Sequence, residues 1–210
     1  HKLPAVETIK IPLSTEEIKA LDYFKARPFY TMLVERMHQE LNRFNRFEPI
    51  PSQPFNTLFD EALFALTLSE KIESCLEQRE CLPSVKEYLN EVDPHEQLDF
   101  YQKESEKLFK TLAEKGDPVA EFYLGQLLLR EQIERSPSKE RQQALYQALK
   151  SSAEKGFVPA QRMLGLGILI DYQDNESALN EAITLLKSAG DAGDGSALFA
   201  LATLDELGLE

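Results

Sequence analysis

The chain of 210 residues contains no tryptophan, three histidines, three methionines and two cysteines, and none of its nine glycines precedes position 116. Each scarcity excludes something. Two cysteines cannot make a disulfide-dense scaffold, and a chain of this length buries roughly 70% of its unfolded surface, so its core needs neither staple nor metal. His1, His38 and His95 are too dispersed to form a histidine cluster. Long apolar runs are also missing: lysine, glutamate, arginine, glutamine or asparagine interrupts every stretch before eighteen residues, which excludes insertion into a membrane as a helix. Basic residues are outnumbered, 23 against 36 acidic, for a formal net charge of −13. The excess is spread evenly, 13 basic and 20 acidic residues before Leu108 against 10 and 16 from there on, so it is a diffuse field rather than a tail. Nucleic acid and anionic membranes would be repelled by it. The opening His1-Lys2-Leu3-Pro4 carries neither an initiator methionine nor an apolar signal core, which fits a processed mature form or a trimmed one and allows a secreted origin.

What is present divides in two. Eight of the eleven prolines lie before residue 100, whereas all the glycines lie beyond it. In the first half, Ser14-Thr15-Glu16-Glu17 has capping-box spacing and predicts a helix start. A second helix follows Pro28, with Leu33, Met37, Leu41 and Phe44 along one stripe, and the proline-rich Pro49 to Pro54 forms a stiff connector. Asn56 is expected to cap a third helix that buries Phe59, Leu63, Leu66 and Ile72 and ends before Pro83. Asp93-Pro94 opens a further helix reaching Gly116. Thr8 to Leu13 alternates in the manner of a strand but is expected to be a flexible leader.

The second half repeats itself. Leu108 to Leu129, Ala148 to Leu169 and Leu185 to Glu206 superpose without internal gaps on Gly116, Gly156 and Gly193, which are 40 and 37 residues apart. Four residues after each anchor stands Ala120, Ala160 or Ala197; eight after stands Leu124, Leu164 or Leu201; nine after stands Gly125, Gly165 or Ala202. A period of this size marks stacked supersecondary units. Each unit is expected to be helix, turn, helix: the anchor glycine ends the first helix, Asp117-Pro118, Val158-Pro159 or Asp194-Gly195-Ser196 opens the second, and the small residue nine positions on lets the second helix approach the first of the same unit.

The Ala-x-x-Gly of Ala113 to Gly116 and Ala153 to Gly156, the alanine after each anchor, and the pairs Leu124-Gly125 and Leu164-Gly165 resemble the Sel-1-like repeats, relatives of the tetratricopeptide repeats. The resemblance runs from near residue 94 to the end. Glu131 and Asp171 stand where the family usually has a glycine after the second helix, which only Gly208 supplies, and the third copy has Gly190 and Ala202 in place of alanine and glycine. The resemblance implies an all-α protein, a right-handed α/α superhelix that binds other proteins and carries no catalytic residues.

Chemical motifs are sparse. Cys75 and Cys81 are six residues apart, about 9 Å on a continuous helix, so a disulfide requires the helix to end between them. Pro83 makes such an end plausible; two unpaired thiols are the alternative. Zinc is disfavoured because only His95 lies near the pair. Glu35-x-x-His38 has the spacing used in di-iron bundles but no second copy, and reads as a solvated helix face. Ser136-x-x-Lys139 and Ser152-x-x-Lys155 lack the motifs that accompany a Ser-Lys enzyme. Gly165-Leu166-Gly167 lacks the third glycine and the preceding strand of a dinucleotide site. Asn175-Glu176-Ser177 fits a glycosylation acceptor.

These observations lead to a helical domain over residues 1–92 and a repeat domain of about three units over 93–210, with no catalytic, cofactor or metal residues. The expected function is non-enzymatic binding of another protein, as an adaptor or scaffold in a bacterial envelope. An immunity-type inhibitor of a toxin and an enzyme acting on cell-wall material are the alternatives. A Cys75–Cys81 bond places the protein in the periplasm; without it the cytoplasm is the alternative. Because the last repeat ends without a polar cap, its face around Leu198, Leu201 and Leu204 is expected to contact a partner or a second copy.

Overall fold

The computed structural model describes residues 57–171 and 174–208, with Pro12, Leu33, Arg36 and Met37. Among them lie eight helices and no strand: α1 Leu58–Leu76, α2 Pro83–Leu89, α3 Pro94–Glu114, α4 Pro118–Glu134, α5 Lys139–Glu154, α6 Val158–Asp171, α7 Glu176–Asp191 and α8 Gly195–Glu206. No described helix is long and apolar enough to cross a membrane. The chain separates into two compact units that part between Thr111 and Leu112, inside α3, whereas the boundary expected at 92/93 coincides with the start of that helix. The capping box at Ser14, the leader apart from Pro12, the Pro49 to Pro54 connector, and Glu35, His38, Leu41 and Phe44 lie outside the described residues.

In the first unit Thr57, not Asn56, caps α1: its hydroxyl accepts from the amide of Asp60 at 3.1 Å. Pro12, expected in a leader, makes an isolated antiparallel bridge with Thr57. The buried residues of α1 include Leu66 and Ile72 as expected, but Phe64, Ala65 and Leu68 take the core positions assigned to Phe59 and Leu63, which are half-buried. The wider face is needed because Leu33, Met37, Leu82, Val85 and Tyr101 close on α1 from several directions. α1 stops at Leu76, and Gln78 turns the chain with a φ of 55°. That turn brings the Cα atoms of Cys75 and Cys81 to 4.5 Å, and the two are bonded, with an S–S distance of 2.13 Å. Pro83 does more than end a helix. It occupies the first turn of α2, where its missing N–H costs nothing and its fixed φ is already helical.

This core holds polar groups. Glu61 is fully buried, and Ser69 donates to the carbonyl of Leu66 at 2.7 Å. The Tyr88 hydroxyl donates to Oε1 of Gln97. Burial raises the Tyr88 phenol above its ordinary value of 10.0. Tyr101 is pushed well above that value by burial first, then by the neighbouring Tyr88 and the charge of Glu61. The phenols are thus held neutral, the form a dry interior favours.

The Cys75–Cys81 loop is short, so in the chain-entropy account its closure contributes only about 2–3 kcal/mol. Reduction is expected to lower the melting temperature by several degrees while leaving the far-ultraviolet circular dichroism at 25 °C unchanged. Loss of the helical spectrum on reduction would show that the bond holds the unit together.

Candidate functional site

The second unit is built from one turn used three times. At Gly116, Gly156 and Gly193 the chain takes φ of 87°, 85° and 93°, values an L side chain resists. The anchor amide donates to the carbonyl of Ala113, Ala153 or Gly190, at 2.9, 3.0 and 2.9 Å. The next amide donates to Leu112, Ser152 or Ala189, at 3.1, 3.2 and 3.0 Å. These are the paired bonds of a Schellman ending, which satisfy carbonyls the helix leaves open. Where an aspartate follows the anchor it caps the next helix. Asp117 accepts from the amides of Val119 and Ala120 at 2.9 and 3.0 Å, and Asp194 accepts from Ala197 at 2.8 Å. Ala120, Ala160 and Ala197 are all fully buried.

The small residue nine positions after the anchor acts differently from expectation. A Cβ on Gly125 would lie 2.8 Å from Cδ2 of Leu149, and one on Gly165 would lie 2.9 Å from Cγ of Leu186. Leu149 is in α5 and Leu186 in α7, so these glycines admit the first helix of the following repeat rather than that of their own. The joins between repeats are extended by Phe122 against Phe157, edge to face with centroids 5.3 Å apart, by an ion pair of Lys155 with Glu121, and by Arg162 with Asp194 at 2.8 Å. Ser152 Oγ donates to the carbonyl of Pro118 at 2.6 Å. Ser152-x-x-Lys155 is therefore a structural lock, with a buried hydroxyl and a lysine already engaged.

Stacking α5, α6 and α7 leaves an open groove of about 390 Å³. Leu145, Leu149, Met163, Leu164, Ile168 and Ala178 make its apolar floor, while Gln142, Gln143, Asp171, Asn175 and Glu181 stand among its polar lining. Tyr146 spans it, donating its hydroxyl to Oε1 of Glu181 at 3.1 Å. The Lys150 ammonium lies 5.7 Å from the centre of the Tyr146 ring. An apolar floor with hydrogen-bonding groups at its margin can seat a side chain and orient the backbone that carries it. Asn175 also caps α7, accepting from the amide of Ala178 at 3.0 Å.

A second surface lies on α8. Leu198 is 51% exposed, although its Cδ2 would lie 3.0 Å from a Cβ on Gly190 of α7; Leu201 is half-buried; Leu204, 7% exposed, packs with Val158 and Leu186. Phe199, 77% exposed, is the large apolar group the expectation missed. It rims a shallow hollow of about 540 Å³ whose lining includes Leu166, Leu169 and Ala200. Alignment with Phe122, which is buried against the next repeat, would have pointed to it.

Among the described residues no three of His, Cys, Asp and Glu gather in a way that could hold a metal ion. Apart from Asn175, which caps α7, the groove residues were not legible as a site because they belong to ordinary helix-face spacing. Ser136 is exposed, and its carbonyl accepts from Arg141 at 3.1 Å. The chain matches no protein-family model, no curated protein and no solved structure.

Proposed function

We propose that the protein is a non-enzymatic protein-binding module, an α/α superhelix of Sel-1-like repeats that serves as an adaptor or scaffold in a bacterial envelope. The observation that carries this reading is the open groove over α5, α6 and α7, with its apolar floor, its polar margin and the Tyr146–Glu181 pair across it. Its volume suits one or two side chains of a bound segment, and its openness suits a chain that passes through. The turn repeated at Gly116, Gly156 and Gly193 supports the repeat architecture. The Cys75–Cys81 bond supports an oxidising compartment such as the periplasm.

Affinity capture from envelope extracts of the native host, comparing the unsubstituted chain with a Tyr146→Ala/Met163→Glu variant, tests the reading. The variant removes the bridging hydroxyl and places a charge on the floor. A specific partner should be retained by the first and weakened at least about tenfold with the second, which is about 1.4 kcal/mol, at unchanged helix content. Equal retention by both would remove the groove as the binding site.

A further inference from the structure

The joins between repeats define what one face of a second helix does. Counted from the anchor, the fifth and ninth residues of α4 are Glu121 and Gly125, and those of α6 are Gln161 and Gly165; all four are buried. The following repeat helps to cover Glu121, Gly125 and Gly165, whereas Gln161 donates to the carbonyl of Ala153 in its own repeat at 3.2 Å. Lys155 at the end of α5 reaches Glu121, Leu149 of α5 sits on Gly125, and Leu186 of α7 sits on Gly165. The sixth residue joins too, through Phe122 on Phe157 and Arg162 on Asp194. In α8 the same three positions are Leu198, Phe199 and Ala202, and all three are exposed.

The chemistry of the face changes with its exposure. The fifth position, polar where it is buried, becomes leucine where it is open, and the ninth keeps a small side chain. Leu198 rests partly on Gly190 of its own repeat, but half of it stays in water beside Phe199, which is 77% exposed, and together they make an apolar patch that water alone would not favour. The surroundings are acidic: residues 174–208 carry seven acidic side chains and one basic, Lys187. Asp191, Asp205 and Glu206, at the ends of α7 and α8, are exposed. Two copies of this surface would oppose like charges, which is unfavourable to self-pairing.

The geometry points to α8 as the receiving surface for an amphipathic helix of another protein, apolar on the side that meets Leu198, Phe199 and Ala202 and basic at its edges. The incoming helix occupies the place that α5 takes on α4 and α7 takes on α6, with lysine or arginine meeting Asp191, Asp205 and Glu206. This surface is separate from the groove residues Tyr146 and Met163, so either can fail alone.

The probe is a synthetic peptide of residues 176–192, the segment that already fills this place on α6, with E176K, E181K and D191K and a lactam on its polar face to hold it helical. It is titrated into the full chain by calorimetry. Binding is expected, weakened at least about tenfold by L186K in the peptide, by restoring its three acidic residues, and by L198K, F199K or A202E in the chain. The Tyr146→Ala/Met163→Glu chain should bind it unchanged. Circular dichroism of the three α8 variants checks folding, and since the residues are exposed at least one is expected to fold as the parent does. No binding of the basic peptide, binding indifferent to the folded α8 variants, or equal binding of the acidic peptide overturns the proposal. So does sedimentation showing a dimer that L198K dissociates, which would make a second copy the occupant.

Discussion

Leu186→Ala is expected to destabilise the unit from Leu112 onward by about 2–5 kcal/mol, the range for removing a fully buried leucine without collapse of the space it leaves. Leu186 has no exposed surface and packs with Val158, Ala189 and Leu204 while resting on Gly165. A companion substitution shows whether this contact is the join between repeats. Gly165→Ala alone places a methyl group 2.9 Å from Leu186 Cγ and 3.3 Å from the carbonyl oxygen of Ala182. Overpacking of this kind typically costs about 1–3 kcal/mol, against a gain of about 1 kcal/mol from replacing glycine inside a helix. In the Leu186→Ala background the main obstacle is gone, and Gly165→Ala should become neutral or stabilising. Residue-resolved hydrogen exchange with urea denaturation reads both effects. Strict additivity of the two substitutions would show that Gly165 does not serve to admit Leu186.

The counterpart in the first unit is Phe64→Ala, with an expected loss of about 3–5 kcal/mol. Phe64 is 1% exposed among Leu33, Met37, Leu68, Ile72, Leu82, Val85 and Tyr101. The cavity would open beside the buried Glu61 and the neutral phenol of Tyr101, so the remaining side chains cannot close over it without rearranging polar groups. Exchange protection should fall for the buried amides of α1 and α2. A change below about 1 kcal/mol would mean that Phe64 is at the margin of the core and that Leu68 and Ile72 carry it.

Local chemistry was legible without the fold. Glycine at 116, 156 and 193 is required by a positive φ that depends only on the residue and its neighbours, and the aspartates at 93, 117 and 194 cap helices within three residues of themselves. The start of α3 at Pro94 and of α6 at Val158 followed from the same signals. The requirement that a helix end between Cys75 and Cys81 was arithmetic on the rise per residue, and α1 does end there. The helix that must end before Pro83 does end, at Leu76; that Pro83 also opens α2 is not signalled, because proline suits a first turn as well as a stop and seven residues give little periodic signal.

Spacing also showed that residues 125 and 165 must be small, because close approach needs a missing side chain whichever helix approaches. It could not say which one does. Gly125 and Gly165 face the following repeat because Leu149 and Leu186, 24 and 21 residues later in the chain, are brought to them by the stacking of α5 on α4 and α7 on α6. The same stacking buries Leu204, leaves Phe199 open although its counterpart Phe122 is covered, and opens the groove beside Tyr146. The sequence by itself determined the helix endings and the identity of the repeating turn, since these rest on backbone conformation and hydrogen bonds between near neighbours. Only the tertiary structure decided which side of each helix is covered and by what, because burial depends on contacts between residues that local patterning leaves free to pair in more than one way.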